Sequence, residues 1–328
     1  MVRVSSRYIL RRTLNTIFVI FSSIIITFVI PRLAPGDPVD ILQMTYGLSP
    51  EEADVLRARL GLKGSILQQF VNYLTNLLKG DLGPSFTYNM VPVTDVIMRA
   101  LPWSLFLLTV AISIRVFLGV LLGIFSALHY GRKSDATVSL SIAFIMAMPY
   151  FTIALILLYM LSVQFNIFPL AHAYGGYSEA LGGFNLQYVS DILYHAALPI
   201  ITLVIAGIPG TYNIMKNNMI TFLDADFVIL LKAEGFPGWK IIMKVARNAI
   251  LPVITSTAIS FGYMVVGAVI TESIFSYPGM GYVLLTAISN KDYPLIQGIF
   301  LLLAITISLA NFISDVLYAF FDPRVELG

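Results

Sequence analysis

No cysteine occurs in the 328 residues, which excludes disulfides, iron–sulfur clusters and thiolate-held metals and says nothing of redox compartment. Charge is scarce as well. Asp, Glu, Lys and Arg make up 12% of the chain, about half of the roughly 25% found in soluble domains. The three histidines, His129, His172 and His195, are far apart and lack metal-ligand spacing, so each reads as an interfacial residue near a span end. No G-x-x-x-x-G-K-[ST] occurs; Gly131-Arg-Lys-Ser134 has a passing likeness but lacks the upstream glycine. A chain with no phosphate cradle is not itself an ATPase of that kind. H-E-x-x-H and G-x-S-x-G are missing too, and nothing supports nucleophilic catalysis. The expectation is a protein with no catalytic residues, no bound cofactor and no metal. A net charge of +2 argues against nucleic acid as a partner.

What the chain does have is apolar surface. Hydrophobic residues are 58% of it, more than a soluble fold of this length could hide. The bilayer core is about 30 Å thick and takes roughly 20 apolar residues per helix. Only helices or closed barrels satisfy every backbone group in lipid, and these apolar runs are too continuous for the alternation of barrel strands. The chain therefore reads as an all-α integral membrane protein. Six spans are expected, at about 11–31, 102–128, 136–164, 193–215, 250–275 and 293–321. The first is too long for a signal peptide and is followed by Pro31-Arg-Leu-Ala-Pro-Gly36 rather than a small-x-small cleavage site, so it reads as an uncleaved anchor.

Lysine and arginine in short loops set orientation. Arg3, Arg7, Arg11 and Arg12 precede the first span, and Arg132 and Lys133 follow the second. Lys216, Lys232, Lys240, Lys244 and Arg247 follow the fourth, and Arg324 lies in the tail. On the other side the 166–192 loop has no Lys or Arg and the 276–292 loop has only Lys291. Six such residues lie in the 32–101 loop, but long loops weigh little in this rule. Both termini and the 216–249 loop are expected in the cytoplasm, in a multi-pass protein of the cell membrane.

The 32–101 loop predicts a small helical extracytoplasmic subdomain between helices 1 and 2. Ser49-Pro-Glu-Glu52 has the pattern of a helix start, with Ser49 as N-cap and Gly61 as the stop. A second amphipathic piece runs from Ile66 to Leu78 and ends at Gly80. A cap over the bundle and a surface for an external binding protein are both consistent with it. Inside the spans, Gly119-Val-Leu-Leu-Gly123 is a G-x-x-x-G pattern that lets two helices approach closely. Arg115 sits near the middle of the second span, where a charge is costly and faces a bundle interior or aqueous cavity. Glu272, in the fifth span, is its candidate partner. Both are pore or gate candidates; a structural ion pair or a snorkelling arginine is the competing reading. Asp315 near the end of the last span reads as interfacial. Pro149, Pro199 and Pro209 interrupt the third and fourth spans, either as pathway-lining breaks or as static kinks.

The segment between the fourth and fifth spans is the most informative. Asp224 and Asp226 stand where acids favour a helix N-terminus. Gly235, Pro237 and Gly238 then break the run and permit a reversal. A basic amphipathic stretch, Trp239 to Asn248, leads to Leu251-Pro252. Two short helices joined by a glycine turn make a rigid knob that fits a cleft on a partner. Spacing leaves open a surface hairpin held by lysines on anionic lipid.

A resemblance bears on that choice. Arg7-Tyr-Ile-Leu-Arg-Arg12, Arg32-Leu-Ala-Pro-Gly-Asp-Pro38, Gly80-Asp-Leu-Gly-Pro-Ser85 and Leu101-Pro102 come first in the chain. Asp226-Phe-Val with Lys232-Ala-Glu-Gly235, and Arg247-Asn-Ala-Ile-Leu-Pro252, follow. Glu272-Ser-Ile-Phe-Ser-Tyr-Pro-Gly-Met-Gly281, Asp292-Tyr-Pro-Leu-Ile-Gln-Gly298 and Asp315-Val-Leu-Tyr-Ala-Phe-Phe-Asp-Pro-Arg324 close it. In order and over the whole chain, these resemble the DppB/OppB-like permease subunits of dipeptide/oligopeptide ABC importers, the binding-protein-dependent inner-membrane components. Ile229-Leu-Leu231 and Glu234 depart from the polar or small residues, and the base, usual in that family. The resemblance implies a type I ABC importer permease fold, with an anchor helix and subdomain over 1–101 and a five-helix core over 102–328. It implies ATPase docking through Asp226, Lys232, Ala233, Glu234, Gly235, Arg247, Asn248 and Pro252. It also implies a second homologous permease, two ATPase subunits that bind the ATP, an external solute-binding protein, and a peptide substrate. Relatives import oligosaccharides or nickel complexes, so an oligosaccharide importer is the alternative. An ion-coupled secondary transporter would need more intramembrane ionisable groups than Arg115 and Glu272.

Overall fold

Three reciprocal caps shape the segment after the first apolar run. The computed structural model describes residues 6–33, 36–175, 185–262 and 268–321. Helix α1, Ser6–Leu33, is followed by α2, Pro38–Tyr46, α3, Pro50–Arg59, and α4, Ile66–Leu78. Asp37 with Asp40, Ser49 with Glu52, and Ser65 with Gln68 each form a capping box that satisfies otherwise orphaned N–H groups. The backbone N–H of Ser49, then its hydroxyl, hold the Glu52 carboxyl below its ordinary pKa. Gly61, at φ +66°, ends α3 as expected, with the Leu62 N–H returning to Arg57 O at 2.9 Å. Arg57 ties α3 to the start of α2 through Asp37 at 2.7 Å and Asp40 at 2.5 Å. The hydrogen bond to Asp37 holds its guanidinium above its ordinary pKa.

The rest of the described chain is helical too: α5, Val93–Leu128; α6, Lys133–Ala147; α7, Tyr150–Leu157, continued by a π-helical stretch Leu158–Gln164; and α8, Leu186–Leu223. Then come α9, Asp226–Ala233; α10, Gly238–Ala249; α11, Leu251–Gly262; α12, Val269–Ile274; α13, Met280–Ser289; and α14, Tyr293–Phe321. Among the described residues four helical runs are long and apolar enough to cross a membrane: Thr13–Leu33, Val93–Leu128, Leu186–Leu223 and Gly238–Ser260. A fifth is counted if α6 and the helix beginning at Tyr150 form one span.

Two expectations are corrected here. The third span, 136–164, is not one rod: its halves are bent by 98°. The break falls at Pro149, which caps α7 and has no N–H with which to continue α6. The run that contains the expected fifth span qualifies by length and composition from Gly238 to Ser260, so it joins α10 of the charged loop to α11 through Ile250. Residues 263–267 of that span, Arg3 and Arg324 lie outside the described residues. Pro199 and Pro209 do not interrupt the fourth span, since α8 runs unbroken through both for 38 residues.

The chain divides into two compact units: Met1–Ser104 with Val265–Val269 and Pro278–Gly328, and Leu105–Met264 with Ile270–Tyr277. In the first, α1 lies along α14, and the start of α5 packs on α13 and α14 through Val93, Ile97, Met280, Leu284, Leu295 and Ile299. Asp292, fully buried, caps α14 at Leu295 N and accepts from Ser85 Oγ at 2.6 Å and Thr87 N at 2.9 Å. Two motif segments 207 residues apart thus share one carboxylate. In the second unit, Gly119 and Gly123 let α5 approach α8. A Cβ at either would lie 2.7 Å from the Cβ of Thr211 or Met215, inside any tolerable contact.

Candidate functional site

The expected hairpin is present, and its turn has a physical cause. Helix α9 ends at Ala233 and Gly235 follows at φ +77°. The Gly235 N–H donates to Lys232 O and the Phe236 N–H to Leu231 O, both at 3.1 Å. This is the paired closure of a helix by a left-handed glycine. Pro237 then prevents the helix from resuming, and α10 starts at Gly238. The residue that starts α9 from outside is Ala225, with no side-chain cap, so the Asp226 carboxylate acts only through its charge in the first turn.

One face of this hairpin is anchored. Val228 and Leu231 of α9 and Ile241, Val245 and Ala249 of α10 are buried with Ala127 of α5, Met215 and Met219 of α8, and Val253 of α11. The other face is open. Asp226, Lys232, Ala233, Glu234, Gly235, Arg247, Asn248 and Pro252 are all exposed. Four apolar side chains stand out beside them: Ile229 at 64%, Leu230 at 59%, Trp239 at 60% and Met243 at 61% exposure. The departure at Ile229-Leu-Leu231 is thereby explained in part. Leu231 belongs to the core, while Ile229 and Leu230 widen the apolar open face.

Behind the hairpin lies a charge cluster that sequence reasoning missed. Lys216, two turns before the end of α8, donates to Asp135 of α6 at 2.5 Å, with side chains only 13% and 9% exposed. Asp135 also accepts from Ser126 Oγ of α5, Ser139 Oγ and the Gly131 N–H. The Tyr212 hydroxyl bridges Ser126 at 2.7 Å and Ser139 at 3.0 Å. Every strong acceptor and donor of the pair has a partner, which is the condition for a buried ion pair to hold. The only available signal was a Lys and an Asp at the same ends of two apolar runs, and it reads as orientation charge alone.

Arg115 lies in α5, half-buried, within the same unit. Its Nη2 donates to Ser260 Oγ of α11 at 2.8 Å, and its Nε is buried with no partner. The side chain passes over Gly207 of α8, where a Cβ would lie 2.6 Å from Arg115 Cδ. The expected pairing with Glu272 is not formed: Glu272 sits fully buried on the short α12, and Arg115 turns to Ser260 instead. Next to Glu272, Thr271 is hydrogen-bonded to the Tyr150 hydroxyl of α7. Asp315 lies on α14. Among the described residues no three His, Asp or Glu side chains converge as a metal site.

The chain thus combines several apolar helices with a core-anchored charged hairpin whose other face is open. The comparisons specify the class. Residues 119–327 match the family described as binding-protein-dependent transport system inner membrane component, and residues 5–108 match the N-terminal family of the same systems. The chain belongs to this family. It is 32% identical to the oligopeptide transport system permease protein AppB of Bacillus subtilis, over 97% of this chain and 99% of that one. It is 33% identical to the oligopeptide transport system permease protein OppB of Haemophilus influenzae, over 98% and 99%. It is 31% identical to the dipeptide transport system permease protein DppB of Escherichia coli, over 98% of each.

Proposed function

We propose that this chain is one of two permease subunits of an ATP-driven importer of peptides, with a type I fold of six spans and both termini in the cytoplasm. The observation that carries the reading is the hairpin: a knob fixed to the ends of α5, α8 and α11 by a buried face, with seven of the expected docking residues exposed on it and Pro252 exposed beside it. Such a knob transmits force, because a push on α9 or α10 is a push on the helices packed against its buried face. Two ATPase subunits, which alone bind ATP, would grip the hairpins of this chain and of a second, homologous permease. An external solute-binding protein would deliver substrate near the 32–101 subdomain. Nucleotide binding then favours one of two pore states and hydrolysis resets it, which is alternating access by differential affinity. Arg115 and Glu272 are the pore or gate residues of this scheme. Peptide as the substrate follows from the names of the relatives.

The test is reconstitution with the partner subunits in vesicles. Peptide-loaded binding protein should stimulate ATP hydrolysis and ATP-dependent peptide uptake. Uptake of oligosaccharide in place of peptide would replace the substrate, and uptake driven by an ion gradient without ATP would replace the mechanism. The natural lack of cysteine makes topology directly measurable. A single cysteine at position 64 should react with an impermeant reagent outside intact cells, and one at position 240 should not; the reverse pattern sinks the orientation.

A further inference from the structure

Arg115 has a cationic head with no carboxylate partner among the described residues. Its helix is a 36-residue apolar span, and the residue stands near the middle of the 102–128 run. An arginine at that depth faces a protein interior or water, not lipid. Among the described residues no carboxylate answers it. One neutral hydroxyl, Ser260 Oγ, takes one of its hydrogen bonds, and that oxygen itself donates to Ser256 O at 2.9 Å. Nε has no partner at all. The slot is nonetheless built for this side chain, since Gly207 yields the space its stem occupies. A built slot that positions a guanidinium and withholds its counter-charge is the arrangement of an anion reader. Its planar fork matches a carboxylate, which it binds through two parallel hydrogen bonds.

We infer that Arg115 recognises the substrate's carboxylate during passage, and specifically the C-terminal carboxylate of an unblocked peptide. This rests on the peptide-importer reading above. Under that reading every unblocked substrate presents one carboxylate whatever its side chains, so a single fixed arginine serves a mixed set of sequences. Acidic side chains of the substrate offer the same chemistry from a second source, and a carboxylate of the second permease would be a structural partner instead. The experiment separates these.

The complete transporter is reconstituted with either parent chain, Arg115→Met or Arg115→Lys. Two labelled pools of tri- to pentapeptides are supplied, both without acidic side chains, one as free acids and one as C-terminal amides. The binding protein is the same throughout, so its own preference cancels when the free-acid to amide uptake ratio is compared between variants. That ratio should fall about tenfold or more in Arg115→Met, the size of one charge-assisted contact, through loss of free-acid uptake. Arg115→Lys, which keeps the charge but loses the fork, should give a ratio between those of the parent and Arg115→Met. An equal fall for both pools makes Arg115 structural, and an unchanged ratio makes it silent; either overturns the inference while peptide uptake by the parent keeps the importer reading. A ratio that falls only when acidic side chains are added to the peptides assigns the arginine to side chains, and overturns the C-terminal assignment. No uptake of any pool by the parent removes the peptide reading and this inference with it.

Discussion

Lys216 and Arg115 are two cations in the same unit, and their surroundings are opposite. Lys216 meets Asp135 at 2.5 Å, and that carboxylate is held by the hydroxyls of Ser126 on α5 and Ser139 on its own helix and by the Gly131 N–H. Arg115 meets one hydroxyl and a glycine. Both are partly buried. A charge with its counter-charge in place is a lock, because separating the two leaves both stranded. A charge without one costs roughly 3 kcal/mol at the centre of a span and persists where something else answers it. The difference assigns Lys216 to holding α6, α5 and α8 together behind the hairpin, and Arg115 to an event in which a ligand completes it.

The largest effect should come from breaking the lock. Asp135→Ala strands the Lys216 ammonium, and the cost should be about 3–5 kcal/mol, read as loss of the folded permease in detergent unfolding. Asp135→Asn combined with Lys216→Met removes both charges and should cost less than Asp135→Ala alone. If the double variant is the worse of the two, the pair is not a lock and the contrast with Arg115 fails. Gly207→Ala probes the other cation. Its new methyl would meet the Arg115 stem at 2.6 Å, so overpacking of about 1–3 kcal/mol is expected. The same displacement should lower free-acid peptide uptake as Arg115→Met does. Normal uptake in Gly207→Ala would show that the slot does not position the arginine.

A third variant tests what the lock is for. Gly235→Val places a β-branched residue at φ +77°, a left-handed geometry that costs about 1–2 kcal/mol. The core face of the hairpin lies elsewhere, in Val228, Leu231, Ile241 and Val245, so the permease should still fold and reach the membrane. ATPase activity should no longer respond to loaded binding protein, and uptake should fall. Full stimulation and uptake would return the hairpin to a membrane-surface element.

What could be read in advance follows the range of the forces. The caps at Ser49 and Ser65, the stop at Gly61 and the reversal at Gly235 are encoded within a few residues, and the sequence shows each of them except the Ser65 cap. The first, second and fourth expected spans coincide with long apolar helices, because lipid imposes one rule on some twenty residues at a time. The 98° break at Pro149 was visible only as a proline, since a missing N–H permits a bend without setting its angle. The polar contacts were not legible: Lys216 is 81 residues from Asp135, Ser260 is 145 from Arg115, and Asp292 is 207 from Ser85. No periodicity or local propensity carries such pairings. They exist only once helices have packed, and Arg115 was accordingly matched to an acid by type when geometry brought it a hydroxyl.

The smallest effect belongs to a third kind of cation, and it tests the rule behind the comparison. Lys63 reaches Asp54 at 3.5 Å, with side chains 53% and 60% exposed. Water already solvates both ends, so the pair gains little on forming and strands nothing on breaking. Lys63→Gln should therefore change stability by less than about 0.5 kcal/mol and leave uptake unaltered, although Lys63 has a carboxylate partner and Arg115 has none among the described residues. Burial of the partners, rather than their presence, is what gives a charge its consequence here. A destabilisation by Lys63→Gln as large as that of Asp135→Ala would mean that pairing alone decides, and the distinction between a lock and a reader could not then rest on the burial of Asp135.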